Sequence, residues 1–159
     1  MTVAARPSVP RRDEDGRVMY LPELLGVAAL FTVVNAVGLV LIDGVLALLG
    51  LSTFGRSSGW LVLILPAFLY FDDFRAWKAS RLRWLAAPVA AMVGIALGLL
   101  AAGLVGGRVP LLSGAVGGLV AVLAYAPVWY VAIRTLTRSW PADGFAPPDD
   151  RRKTRLTRF

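Results

Sequence analysis

Apolar residues are concentrated in four long blocks along the chain, with short polar segments between them. The blocks cover residues 22–49, 58–77, 84–106 and 111–133. Each is long enough for a membrane-spanning helix, which needs about 20 residues. Leu, Ala and Val dominate the blocks and polar positions do not alternate with apolar ones, so helices are favoured over strands. The pattern predicts an all-α protein, an integral membrane bundle of four transmembrane helices within residues 21–133.

The segments that flank the four blocks are polar. Residues 1–20 contain no apolar stretch of the kind that a signal peptide requires, so they are predicted to form a cytoplasmic N-terminal segment. Residues 134–159 contain three prolines, blocks of both charges and little apolar surface. This composition predicts a basic, disordered cytoplasmic tail. The alternative is a peptide that docks on a partner through Phe145 or Phe159.

The basic residues predict how the chain is threaded. Of the 17 lysines and arginines, 15 lie in residues 1–20, 75–83 and 134–158, whereas the other two loops hold only Arg56 and Arg108. Because lysine and arginine accumulate on the cytoplasmic side, both termini and the middle loop are predicted to be cytoplasmic. The expected location is therefore the cell membrane, with several passes and with the N- and C-termini inside.

Aromatic residues near the ends of the blocks agree with this threading, because tryptophan and tyrosine are enriched at membrane interfaces. They are Trp60, Trp77, Trp84, Trp129 and Tyr130. The net charge of +7 is interpreted as a topology signal together with attraction to anionic lipid of the inner leaflet. No module typical of nucleic-acid binding accompanies this charge, so the expected partners are the bilayer and other membrane subunits or further copies of the chain.

The chain contains no cysteine and no histidine. These absences exclude disulfides, thiolate catalysis and cysteine zinc sites, and they remove the commonest general base and the usual haem ligand. We therefore expect no cofactor, no metal site and no enzymatic activity. Any remaining chemistry must use carboxylates, hydroxyls, tyrosine, lysine or arginine.

Three polar residues of the first block form a candidate ion or proton site, because Thr32, Asn35 and Asp43 share one broad helical face. An ionised carboxylate at the centre of a membrane helix costs about 2.5–3.5 kcal/mol and by default suggests function. However, Asp43 lies 20 residues after Glu23, about 30 Å along an upright helix. An outer-interface position and a buried ion site therefore both remain open.

The inner end of the second block contains the candidate ion pairs. Asp72 is followed by Arg75 at the i+3 position, which favours a pair on the helix surface. Asp73 has no basic residue at i+3 or i+4 and needs a partner from another helix. Arg134, at the inner end of the fourth block, is the candidate.

Small residues predict which helices pack together. The third block carries them at every fourth position, and the fourth block carries two further pairs on neighbouring faces: Ala90, Gly94, Gly98, Ala102 and Gly106, then Gly114 with Gly118, and Gly117 with Ala121. Such residues allow close approach of helix backbones in a membrane. The third and fourth helices are therefore predicted to form a tight antiparallel pair, alone or together with a homodimer seam. The functional alternative is a pore with walls of small residues.

The leading functional hypothesis is a non-catalytic multipass membrane protein, either an accessory or assembly subunit of a larger membrane complex or a self-associating scaffold. The alternative is a small homo-oligomeric transporter or channel for an ion or solute, which would use Asp43 and Asn35. A lipid-active membrane enzyme that uses Asp72 and Asp73 has less support.

Overall fold

The computed structural model describes residues 10–12, 18–77, 83–106 and 109–138, with side chains described as far as Thr135. These ranges form four α-helices and one short 3-10 helix, and they contain no β-strand. The helices are α1 (Leu21–Leu48), the 3-10 segment (Gly59–Leu63), α2 (Ile64–Ala76), α3 (Arg83–Val105) and α4 (Pro110–Arg138). The all-helical prediction is confirmed for this part of the chain. The predicted tail after residue 138 lies outside the described residues.

Three of the four helices are long and apolar enough to cross a membrane. They are Leu21–Leu48, Arg83–Val105 and Pro110–Thr135, with mean hydropathies of 2.4, 2.2 and 1.9. This combination of length and hydropathy indicates a membrane-embedded protein. Helix α2 has only 13 residues and does not reach this length by itself.

The predicted second helix, 58–77, is divided into the 3-10 segment and α2. The division coincides with close packing, since a Cβ atom at Gly59 would overlap the backbone of α4 at Leu111 and Ala115. The carbonyl of Leu61 accepts a 3-10 hydrogen bond from the N–H of Ile64 and a second bond, of 2.8 Å, from the amide of Asn35. The chain therefore enters this region in the tighter helical form and continues as α2.

Helix α4 lies at the centre of the bundle, with α3 on one side and α1 and the 3-10 segment on another. On the α3 side the two backbones touch. A Cβ atom at Gly94 would lie 2.7 Å from the carbonyl oxygen of Ala121, and one at Gly98 would lie 2.5 Å from that of Gly117. No larger residue fits at these positions without separating the helices. The sequence-based pairing of these two helices thus corresponds to a contact between backbones.

The small residues of α4 are divided between two neighbours. Gly117 and Ala121 face α3, whereas a Cβ atom at Gly114 would lie 2.8 Å from the Cα of Gly59 and one at Gly118 would meet Val62. Gly114 and Gly118 therefore pack on the 3-10 segment rather than on α3. The sequence places the two pairs on neighbouring faces of the helix, and the structure gives each face its own packing partner.

Gly106 does not belong to the packing face that the sequence predicted. A Cβ atom there would meet nothing within 4 Å, and the residue has a φ of 81°. Its N–H bonds to the carbonyl of Gly103 at 3.2 Å, just after the last residue of α3. Glycine ends the helix here because it adopts a left-handed conformation without strain.

Of the residues before α1, those at 11–12 and 18–20 lie against one end of the bundle. Val18 is buried in the hydrophobic core, and the Met19 N–H donates to the carbonyl of Arg11 at 2.9 Å. The Met19 carbonyl accepts bonds from the Tyr130 hydroxyl at 3.2 Å and from the Arg134 guanidinium at 2.9 Å. We call this end of the bundle, where α2 ends and α3 begins, the arginine end. The other end, between α1 and the 3-10 segment, is called the loop end.

Candidate functional site

The three polar residues predicted to form an ion site in α1 do not converge on a common point. The Thr32 hydroxyl donates to the carbonyl of Ala28, one turn earlier, at 2.7 Å. The Asn35 amide donates to the Leu61 carbonyl in the 3-10 segment. Asp43 bonds to the loop that follows α1. Each group therefore has a separate internal partner, and the structure does not assemble them into one site.

Asp43 fastens the loop end of the bundle. Its carboxylate is fully buried and accepts a hydrogen bond of 2.5 Å from the Gly55 N–H. Ser57 contributes two more donors, its N–H at 3.3 Å and its hydroxyl. Gly55 has a φ of 86°, and its carbonyl accepts the Leu111 N–H at 3.1 Å. Bonds from backbone N–H groups to a carboxylate are charge-assisted, so Asp43 holds the loop firmly between α1 and the start of α4.

Asp73 is a buried carboxylate at the arginine end. It is 2% exposed and forms an ion pair with Arg12, in the segment that precedes α1. The sequence-based candidate for this role was Arg134. Its guanidinium instead lies 4.5 Å from the centre of the Tyr130 ring and donates a hydrogen bond to the Met19 carbonyl. The N-terminal segment was interpreted as a polar extension. The apolar pair Val18–Met19 just before α1 was the signal that could have indicated folding back.

The neighbouring carboxylate, Asp72, is exposed and is not paired with Arg75 in the described part of the chain. Instead, the Arg75 guanidinium lies 5.5 Å from the centre of the Phe71 ring, four residues earlier. A cation over an aromatic face is itself a favourable arrangement. The predicted i+3 pair is therefore replaced by a cation–π contact on the same helix.

Aromatic side chains fill the space between α2 and α4 near Asp73. The Tyr70 and Tyr125 rings are 4.1 Å apart, and the Trp77 and Trp129 rings meet edge to face at 5.8 Å. The Tyr70 hydroxyl donates to the Val122 carbonyl at 2.8 Å. Trp77 and Trp129 were predicted to lie at the membrane interface, but both are fully buried. Their rings are large enough to pack as core residues between two helices that do not touch through their backbones.

A groove opens between α2 and α3, with α4 as its floor. Its volume is about 530 Å³. The wall residues are apolar or aromatic, and six of them define its shape: Tyr70, Phe71, Phe74, Trp84, Pro88 and Tyr125. Residues of this kind line most small-molecule pockets, whose volumes are about 300–1,000 Å³. The sequence reasoning missed this groove, because it depends on how far α2 stands from α3.

Arginines flank the groove at the arginine end. The Arg83 guanidinium donates to the Trp77 carbonyl at 2.6 Å and to the Phe74 carbonyl at 3.3 Å, and lies 4.9 Å from the centre of the Phe74 ring. Arg75 lies over Phe71. Both of these phenylalanines are groove walls, so two positive charges stand beside one end of an apolar groove.

Within the described ranges, no group of three or more histidine, cysteine, aspartate or glutamate side chains is close enough to hold a metal ion. No protein-family model, curated protein or solved structure matches the chain. The site must therefore be interpreted from its own geometry: an apolar groove with an arginine-flanked end, beside a buried Asp73–Arg12 pair.

Proposed function

We propose that this protein is a non-catalytic membrane protein that acts by associating with other transmembrane helices, as an accessory subunit of a larger complex or as a self-associating scaffold. The proposal rests on three helix glycines at which an added Cβ atom would face away from the rest of the bundle. A Cβ atom at Gly26, Gly38 or Gly103 would meet no other atom within 4 Å.

These three glycines differ in their surroundings from those of the α3–α4 contact. A glycine inside a helix costs up to about 1 kcal/mol relative to alanine, measured in water. At Gly98 the close approach of α4 offsets that cost, since a Cβ would collide with Gly117. At Gly38 and Gly103 no neighbour within the described chain does so. A second helix packed on α1 or α3 would provide the compensating contact, as small residues do at helix interfaces in membranes.

The proposed arrangement in the bilayer has four crossings, with the arginine end in the cytoplasm. The 3-10 segment and α2 together have a length of about 30 Å, from rises of about 2.0 and 1.5 Å per residue, which is close to the thickness of the hydrocarbon core. Arg12, Arg83 and Arg134 lie at the arginine end. Arg56 lies in the loop at the other end. This asymmetry supports cytoplasmic termini in a cell membrane.

The transporter alternative receives no comparable support. It depends on Asp43 and Asn35 as ion ligands, but the Asp43 carboxylate binds Gly55 and Ser57, and the Asn35 amide binds Leu61. Releasing these groups for an ion would detach the loop and the 3-10 segment from α1. Association with other transmembrane helices is therefore the function that the geometry supports best.

The test is to measure particle mass for the full chain, purified in mild detergent, by light scattering. We expect a particle with more than one polypeptide, made of copies of this chain or of this chain with another membrane protein in fixed ratio. Replacing Gly26, Gly38 and Gly103 together by leucine should weaken association about tenfold or more, which corresponds to about 1.4 kcal/mol.

The matched control is the same triple replacement by alanine, which adds one methyl group at each site and should retain most of the association. Both variants should fold, because no internal atom lies near these positions. A monomer at every protein concentration without a stoichiometric partner, or a triple-leucine variant that associates like the original chain, would contradict the proposal.

A further inference from the structure

We propose that the groove between α2 and α3 is a binding site for one acyl chain of an anionic phospholipid, whose phosphate is held by Arg75 and Arg83. This inference concerns the surface of a single copy and does not depend on the proposed association of the protein with other helices.

The shape and lining of the groove favour an acyl chain. Its walls are side chains of α2 and α3, and α4 closes it from behind through Val122 and Tyr125. The Tyr70 hydroxyl is already bonded to the Val122 carbonyl, so this group does not offer a free donor to a polar ligand. A flexible hydrocarbon chain requires no hydrogen bonds and would cover the aromatic walls.

The volume of the groove argues against a helix as its occupant. Two turns of a helix about 10 Å wide fill roughly 850 Å³. The groove holds about 530 Å³. A neighbouring helix could therefore insert only side chains, whereas an acyl chain can lie along the whole groove.

The charge at the arginine end favours an anionic head group over a neutral one. Arg83 uses Nη1 for its bonds to Trp77 and Phe74, so among the described residues its Nε and Nη2 donors remain available. Arg75 is exposed and stands over Phe71 on the other wall. Arginine donors match the geometry of phosphate oxygens, and two of them flank the same groove end.

Trp84 marks the mouth of the groove. It is 65% exposed, lines the groove, and its ring meets that of Phe74 edge to face at 4.9 Å. Exposed tryptophans are typical of the level at which lipid head groups meet the hydrocarbon core. The lipid phosphate would therefore lie at the depth of Arg83, with its acyl chain extending along α3 toward Pro88. Asp72, three residues before Arg75 on α2, is exposed at the same end of the bundle and lowers the net positive charge there.

The test is native mass spectrometry of the full chain in mild detergent, titrated with phosphatidylglycerol or phosphatidylcholine that carry identical acyl chains. We expect one saturable phosphatidylglycerol to bind per copy, with clear preference over phosphatidylcholine. Arg75→Gln and Arg83→Gln should each weaken phosphatidylglycerol binding about fivefold, the effect expected for one basic residue at a membrane surface. Arg56→Gln removes one charge at the loop end and is the matched control, with unchanged binding.

The groove itself is tested by filling it. Ala91→Trp, on the α3 wall, should abolish binding of the saturable lipid, while Ala96→Trp, on an exposed face of α3 outside the groove, should leave it intact. Ala67→Trp fills the groove from the α2 wall and serves as the second variant if Ala91→Trp does not fold.

Three results would overturn the proposal. Equal binding of the two lipids would remove the role of the arginines. Unchanged lipid binding in both Ala67→Trp and Ala91→Trp would place the lipid elsewhere. A change in particle mass with Ala91→Trp, in the absence of any saturable lipid in the original chain, would identify a second copy as the occupant of the groove.

Discussion

Helix α4 packs on α3 and on α2 in opposite ways. Toward α3 it presents Gly117 and Ala121, and the backbones come into direct contact. Toward α2 it presents Tyr125 and Trp129, whose rings meet those of Tyr70 and Trp77. One interface is built from the smallest side chains, and the other from the largest.

The difference shows how one helix can provide both a fixed contact and an opening. Backbone contact leaves no space between α3 and α4. Large rings keep α2 at a distance from α4, and the groove of about 530 Å³ lies beside these rings. In a bilayer, where apolar side chains gain little from leaving lipid for protein, shape and polar contacts determine which helices stay together. The α3–α4 contact is therefore expected to be the rigid part of the bundle, and α2 is expected to depend on a few specific interactions.

The largest effect on stability is expected from a substitution that separates α3 from α4. Gly98→Leu places a side chain where even a Cβ would lie 2.5 Å from the Gly117 carbonyl oxygen and 2.9 Å from the Ala121 Cβ. Because both obstacles belong to the facing helix, α3 and α4 must separate. We expect the free energy of unfolding to fall by more than about 4 kcal/mol, within the range that only severe substitutions reach. Denaturant unfolding in mild detergent, followed by circular dichroism, measures this change.

Ala96→Leu is the control for that prediction, since it places the same side chain on the same helix at an exposed position outside the groove. It should unfold like the original chain to within about 0.5 kcal/mol, because surface substitutions away from packed contacts have small effects. Equal stability of the two variants would show that α3 and α4 are not in backbone contact.

The second prediction addresses the looser interface at the arginine end. Arg12→Gln leaves the Asp73 carboxylate, which is 2% exposed, without its ion-pair partner. Removing one member of a buried pair costs about 3–5 kcal/mol, because the remaining charge is not compensated. Asp73→Asn combined with Arg12→Gln should recover part of this loss, as measured in a double-mutant cycle of unfolding free energies.

The adjacent arginine provides the control. Arg11 pairs with Glu23 at 3.5 Å, but its side chain is 68% exposed. Exposed pairs contribute at most about 1 kcal/mol, so Arg11→Gln should have a small effect. If Arg12→Gln were as mild as Arg11→Gln, the N-terminal segment would not hold the end of α2.

The smallest expected effect concerns the hydrogen bond between α2 and α4. Tyr70→Phe keeps the ring but removes the bond of 2.8 Å to the Val122 carbonyl. A loss of about 1 kcal/mol is expected from the same unfolding measurement, since a typical hydrogen bond contributes that amount. Tyr20→Phe, at an exposed position before α1, should change stability by less than about 0.5 kcal/mol. If Tyr70→Phe left the free energy of unfolding unchanged, the contact between α2 and α4 would depend on the rings alone.

These contrasts also explain what the sequence could and could not predict. Helices α1, α3 and α4 follow from long apolar blocks, since a spanning helix satisfies its own backbone hydrogen bonds. The contact between Gly98 and Gly117 follows from small residues at helical spacing. Both features follow from the spacing of residue types within single helices, which the sequence shows directly.

Features that depend on distant partners were not predictable in this way. The partner of Asp73 is Arg12, in a segment that spacing along the helix does not reach. Trp77 is buried although its position near a helix end is typical of an interface residue. The groove depends on how far α2 stands from α3. In each case the outcome depends on the distance between elements that are far apart in sequence.

The pairing of Asp73 with a residue that precedes α1 has a consequence for how the chain is made. Arg12 leaves the ribosome about 60 residues before Asp73. At typical synthesis rates of about 5–20 residues per second, the arginine waits roughly 3–12 s for its carboxylate. When α2 emerges, the counter-charge has already been synthesised, nine residues before the start of α1. The order of synthesis therefore shortens the time during which an unpaired carboxylate would have to enter the bundle.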